Sequence, residues 1–379
     1  MRDAIKRKVE DGERINREEA LWLLRDAQLQ DLAALAQTVR FRHNPDPVVT
    51  FVVDTNLNYT NVCDAYCTFC AFYRVEGDAE AYTYTVDEML GKIGEAIEKG
   101  VTTVLLQGGL NSKLPLEYYE ELVRRSVETY PELHAHFFSA PEIQKMCQVS
   151  GLPLPEVLTR LSKAGLKTIP GGGSEVLSNR VKRKISRLWP KGKVDDWTDV
   201  HREAHKVGMR TTATMMYGHL DEDEDIIEHL EHVRSLQDET GGFTAFIPWS
   251  FSKGNSALSK KVKEEAGPNR YLRIIALSRL YLDNVQHIQA SWFSEGKKTG
   301  QVALHFGGDD FGGTLFDENV MLASGFYNRV TVEEVMTIIR EAAFVPAQRT
   351  TLYDILEVFD KPRKQQVRIP LESVASSGS

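Results

Sequence analysis

Three of the chain's four cysteines, Cys63, Cys67 and Cys70, fall in one stretch, CDAYCTFC, spaced C-x3-C-x2-C. Thiols grouped this closely in a long chain read as a metal site, not as a disulfide framework. Zinc sites usually draw two C-x2-C pairs, and ferredoxin-type clusters need four thiolates. Three thiolates on a [4Fe–4S] cluster leave one iron open to an outside ligand, as catalytic zinc keeps an open position. That iron could take the amino and carboxylate groups of S-adenosylmethionine (SAM). An electron passed into the sulfonium then cleaves a C–S bond and releases a 5′-deoxyadenosyl radical. The competing reading is zinc completed by a His, or three thiols that are merely buried together. Position after the first strand of a barrel, and Phe69 between the last two cysteines, favour the cluster. Cys147 has no spaced partner and reads as a small buried apolar residue.

The elements that must hold this loop alternate. From about Val48, strand-like runs (VVTFVVDTNLNYT, TTVLLQGG, LHAHFFS, LKTIPGGG, RTTATMMYG, FTAFIPWSF, IQASW, VALHFGG) are separated mostly by amphipathic runs with apolar residues every three or four positions. Several of those end in Lys-Gly, Ala-Gly or Val-Gly, which suits a glycine just past a helix end. Strands separated by helices imply parallel βαβ units, and eight of them fit a (β/α)8 barrel of the triosephosphate-isomerase (TIM) type. The expected organisation is a helical extension over 1–47, a barrel over 48–325, and a C-terminal helix and tail over 326–379. The last residues, VASSGS, read as a disordered tail. Unusual residues collect where the strand-like runs end, and in a barrel these face one mouth.

Composition limits the alternatives. Of 379 residues, 42% are hydrophobic and 26% charged, with net charge -8. That is a globular balance with nothing to predict nucleic-acid binding. No apolar run reaches the length of a membrane span. The charged stretch MRDAIKRKVEDGERINREEA lacks an apolar core segment, so the expected location is the cytoplasm.

NLNYTNVCDAYCTFCAFYR resembles the cluster loop of the radical SAM enzymes of the futalosine route to menaquinone, and of the related deazaflavin synthases. LLQGGLNSKLPLEYYEELVR, HAHFFSAPEI, the PGGGSE segment, GMRTTATMMYGH, GGFTAFIPWSF and FGGDDFGGTLFDENV are similar to the cyclic dehypoxanthinylfutalosine synthase family. The similarity runs from about Asn16 to Tyr353. It implies a radical SAM oxidoreductase holding a [4Fe–4S] cluster on Cys63, Cys67 and Cys70, with SAM as co-substrate. It implies hydrogen abstraction from C4′ of dehypoxanthine futalosine, addition to the benzoate ring, and loss of one electron and one proton. A flavodoxin or ferredoxin would supply the electron. Aminofutalosine or deazaflavin synthesis is the nearest rival activity, and a structural-zinc barrel the more distant one. The lysine-rich stretch 252–270 departs from the family pattern, as a variable loop or part of a lid.

Gln107-Gly108-Gly109 corresponds by this resemblance to the segment that holds the SAM methionyl amine; a tight turn is the plainer reading. Phe69 is placed with the cofactor. Glu175 is read either on the SAM ribose or as a carboxylate stabilised by a helix N-terminus. Arg180 pairs with the SAM carboxylate or sits on a solvated face beside Lys182, Arg183 and Lys184. Ser139 touches SAM or caps a helix with Glu142. His134 and His136 alternate on one strand and point to one side, either into a barrel lumen, with His136 nearer the mouth, or as a pair of hydrogen-bonded core histidines. His219 and Asp310 are the candidates for proton transfer, and His136, Tyr217 and Trp249 for substrate contact. Asp309 beside Asp310 also suits a turn. Trp292 and Phe251 either wall the pocket or belong to the core.

Overall fold

Strand one of the barrel comes in two pieces interrupted at Val53, and each piece does a different job. In the computed structural model, which describes residues 1–186, 188–316, 318–325 and 329–359, the pieces are β1 (Val48–Val52) and β2 (Asp54–Leu57). There follow β3 (Thr103–Leu106), β4 (His134–Phe137), β5 (Thr168–Ile169), β6 (Arg210–Tyr217), β7 (Phe243–Ser250) and β8 (His287–Ile288). The last three are β9 (Asp310–Gly313), β10 (Val345–Arg349) and β11 (Ile355–Val358).

From β2 to β8 each strand pairs in parallel with the next in chain order. β9 pairs in parallel with β1, a bridge between Gln289 and Asp310 joins it to the end of β8, and Glu318 bridges Asn56 of β2. These pairings close the ring as a (β/α)8 barrel, and the crossovers that parallel strands need are helices covering the outer face. Gly100, Gly165 and Gly208, which end three of the crossover helices, all have positive φ, as expected from the Lys-Gly, Ala-Gly and Val-Gly endings.

Side chains alternate along each strand. On β6, Thr212, Thr214 and Met216 face the lumen. Ala213, Met215 and Tyr217, between them, are buried and face the helices. Helices Arg2–Asp11, Arg17–Arg25 and Leu29–His43 precede the barrel. Buried Arg40, in the third, donates to the carbonyls of Asn44, Asp46 and Val48 and so ties that helix to the start of β1.

Two segments depart from expectation. VALHFGG is not the eighth strand: Lys297–Ala303 is helical, Leu304–Phe306 is a 3-10 turn, and the strand is β9. A short apolar run has no period long enough to separate helix from strand, and DFGG has almost no strand signal of its own. Asp309 and Asp310 consequently lie at the foot of the strand, away from the mouth. Beyond helix Val332–Glu341, the C-terminal segment adds β10, which pairs in parallel with β1, and β11, antiparallel to β10. VASSGS lies outside the described residues. No helix among the described residues is long and apolar enough to cross a membrane.

Candidate active site

The cysteine loop leaves the top of β2. Cys67 is buried, and Cys63, Phe69 and Cys70 pack with it, Ala65 and Leu110 in one small apolar cluster. Burial pushes the Cys67 thiol up to about 12, against the nearby charge of Lys191, and also raises Cys63. Thiols in such a place are neutral until a metal displaces their protons. Among the described residues no three His, Cys, Asp or Glu side chains are gathered for a single metal ion. A four-iron cluster, whose ligands stand at its corners, does not need that convergence. Three soft thiol donors with no nearby fourth match it.

The loop is held from three sides. Gly109 N–H donates to the Thr60 carbonyl (2.9 Å), and a Cβ on Gly109 would stand 2.1 Å from the Val62 carbonyl oxygen. A Cβ on Gly108 would meet the Tyr59 ring at 2.5 Å. Thr68 N–H donates to Ile185 O (2.9 Å), and Leu258 N–H donates to Thr68 O (2.8 Å). The 252–270 stretch, with a 3-10 turn at Leu258–Lys260, thus rests directly on the cysteine loop.

Buried Glu142 locks the next layer. Its carboxylate accepts from Ser139 N–H (2.7 Å), Tyr59 O–H (2.7 Å) and Gly108 N–H (2.9 Å). Ser139 and Glu142 form the capping box read in the sequence, and the same carboxylate fastens the Gln107–Gly109 turn.

Glu175 follows the PGGG turn with φ of 45°. Lys191 Nζ lies 2.8 Å from its Oε1, and Lys182 Nζ 3.7 Å from its Oε2. Burial alone would raise this carboxyl, but the two ammonium groups outweigh it and hold it below the usual range. Lys191 also stands 5.0 Å over the Phe69 ring. One charge network therefore joins the cysteine loop to the barrel mouth.

Below lies a cavity of about 280 Å³. Gln107, Gly172, Gly173 and Glu175 line its upper part, with His136, Trp249 and Phe293 on its walls. Trp249 and Phe293 face each other with ring centroids 6.1 Å apart. His136 Nδ1 is 2.7 Å from Thr168 Oγ1, and burial pushes its imidazole down to about 3. His134 meets the same hydroxyl at 2.8 Å.

Other expected residues fall elsewhere. Tyr217 is on the outer face, with no hydrogen-bond partner for its hydroxyl among the described residues. His219 is turned from the cavity: Nε2 meets Met216 O (2.9 Å), and Nδ1 accepts from Leu220 N–H (2.7 Å). Burial lowers its pKa, against the pull of Asp221. Arg180 pairs with Asp225 and Glu222, not with anything at the mouth. Asp310 is clasped by Arg349 (Nη2 to Oδ1, 2.9 Å). Buried Asp309 pairs with Arg279 and accepts from the Ile288 N–H (2.8 Å); burial would raise it, yet Arg279 and His287 hold it down to about 2. Trp292 is core, donating to Gly313 O (3.1 Å), and Phe251 is core beside His219.

Sequence reasoning passed over Asp54, Lys191 and Arg349. Asp54 shares the cavity with its strand neighbours Val52 and Asn56, and burial pushes it up to about 7. A charged residue inside an apolar strand was the available signal. Lys191 carried none, because its partners lie in other segments.

The Radical SAM superfamily model matches residues 57–233, and the CofH/MqnC C-terminal region matches 240–362. The chain is 40% identical over 358 residues to the cyclic dehypoxanthine futalosine synthase of Halalkalibacterium halodurans, covering 94% of this chain and 96% of that one. It is 37% identical to the aminodeoxyfutalosine synthase of Thermus thermophilus, over 94% of this chain and 96% of that one. Among solved structures, the FeFe-hydrogenase maturase HydG of Carboxydothermus hydrogenoformans superposes with a TM-score of 0.73 at 18% identity, over 93% of this chain and 80% of that one. With the barrel and the thiol loop at its mouth, these matches make the chain a member of the radical SAM superfamily of enzymes, in the family that carries the CofH/MqnC C-terminal region and includes the cyclic dehypoxanthine futalosine synthases.

Proposed function

We propose that this enzyme cyclises dehypoxanthine futalosine, with a [4Fe–4S] cluster on Cys63, Cys67 and Cys70 and SAM as co-substrate. The observation that carries the reading is the barrel cavity, which runs from Gln107 and Glu175, beside the thiol loop, down to buried Asp54. Similarity to cyclic dehypoxanthine futalosine synthases at 40% and 39% identity supports the substrate. When bound, cluster and SAM supply a 5′-deoxyadenosyl radical.

The chain's own residues do the rest. The Gln107–Gly109 turn, fastened by Glu142, offers backbone groups to the methionyl end of SAM. Glu175, held ionised by its lysines, is an acceptor for ribose hydroxyls at the mouth. Trp249 and Phe293 form an aromatic wall suited to the benzoate ring. The cavity walls fix the substrate's position, which confines a carbon radical to the intended C–H bond. The C4′ hydrogen is abstracted, C4′ bonds to the ring, and one proton and one electron leave. A flavodoxin or ferredoxin would supply the electron that such a cluster needs.

Anaerobic reconstitution with iron and sulfide, then dithionite, SAM and dehypoxanthine futalosine, tests this. The expected result is 5′-deoxyadenosine together with a product two hydrogens lighter than substrate. Deoxyadenosine without that product would transfer the chain to a sister activity, for which the aminodeoxyfutalosine synthase similarity stands.

A further inference from the structure

The geometry points to Asp54 as the catalytic residue that takes the ring proton at the end of the cyclisation, a role that rests on the function proposed above. Asp54 faces the cavity from β2, in register with Thr103 at the foot of β3, four residues before Gln107. At about 3.3 Å per residue it lies roughly 13 Å back along the strand, or about 11 Å deeper for strands tilted by ~36°. A substrate whose ribose sits beneath the thiol loop would extend its aromatic end towards this depth. Oδ1 accepts from the Leu315 N–H (2.8 Å), and no hydrogen bond among the described residues reaches Oδ2. A Cβ on Gly313 would stand 2.1 Å from both carboxylate oxygens, so only glycine leaves room for this carboxyl.

The other carboxyl and imidazole groups that line the cavity are engaged or too weak as bases. Glu175 is clamped by two lysines. Glu318 accepts from Val320 N–H (2.9 Å) and from Asn56 Nδ2. His136 is too weak a base at about 3. Around Asp54, burial raises the carboxyl, Arg349 of β10 opposes it, and Asp310 of β9 and Glu318 add to the rise, leaving it at about 7. A carboxylate poised there is a stronger base than an ordinary one.

The step balances. The C4′–H bond breaks homolytically, and its hydrogen atom goes to the deoxyadenosyl radical. C4′ then bonds to a ring carbon. The C–H bond of that carbon breaks heterolytically, the proton passing to Asp54 and the bonding pair returning to the ring. The one surplus electron passes to an oxidised iron–sulfur centre.

The test is Asp54→Asn in the reconstituted holoenzyme, with substrate deuterated at C4′. The variant should bind substrate with unchanged Kd and still form deuterated 5′-deoxyadenosine. Cyclic product per deoxyadenosine should fall at least about a hundredfold, the usual scale for a general base. In the unsubstituted enzyme that ratio should decline as pH falls through about 7, and Asp54→Glu should restore part of it. Undiminished cyclic product from Asp54→Asn overturns the assignment. So does a loss confined to substrate Kd, which would make Asp54 a binding group. If the unsubstituted enzyme gives deoxyadenosine but no cyclic product, the proposed function fails instead.

Discussion

Lys191 Nζ lies 2.8 Å from Glu175 Oε1 and 5.0 Å over the Phe69 ring, so one buried ammonium group spans the cysteine loop and the barrel mouth. Glu175 is its buried counter-ion and is shared with Lys182. Replacing Glu175 by Gln strands two buried cations. The expected cost is about 3–5 kcal/mol, measured by urea unfolding. Lys191→Met should weaken iron retention during gel filtration more than it lowers stability.

Cys67→Ala removes one expected cluster ligand from an apolar packing cluster. Iron per chain after reconstitution should drop sharply and deoxyadenosine formation should cease. Unfolding free energy should change by only about 1 kcal/mol, the ordinary cost of a small core truncation. Loss of the folded state, read by circular dichroism, would instead favour structural zinc.

At the barrel floor Arg349 and Asp310 are both buried and joined by two hydrogen bonds. Asp310→Asn should destabilise the protein by about 3–5 kcal/mol, because it leaves a guanidinium uncompensated away from water. Thermal unfolding checks this.

Gly109→Ala should be costly despite its small size. The added methyl would meet the Val62 carbonyl at 2.1 Å, so the cysteine loop must shift. Iron incorporation should fall, while the far-ultraviolet spectrum stays that of the parent.

Acid should weaken the fold through buried histidines. Burial pushes His134 down to about 4, His136 to about 3 and His205 to about 4. The unfolded imidazoles take up protons near 6.5, whereas the folded ones resist. Their contribution is therefore full above about 6.5 and is lost as pH falls towards 3, on the order of several kcal/mol in total. Asp54, raised by burial, acts oppositely, losing stability as pH climbs from its ordinary value towards about 7. Melting temperature against pH should fall on the acid side, less steeply in His136→Gln.

By itself the sequence determined what is local. The grouping of Cys63, Cys67 and Cys70 in one loop is legible because it is written in spacing. The crossover helices are legible because a buried stripe repeats every three or four residues, and Gly100, Gly165 and Gly208 because a helix end needs positive φ. The Ser139–Glu142 cap was readable for the same reason. Only the tertiary structure decided which side chains share the cavity. Tyr217 and Met216 are adjacent in sequence, yet strand alternation sends one outward and the other into the lumen. Asp310 moved from mouth to floor because strand eight begins later than its weak pattern suggested. The setting of Asp54 depends on Leu315, 261 positions away, and on Arg349 from a strand with no motif of its own. Desolvation and charge pairing act between residues that folding brings together, so no local pattern records them.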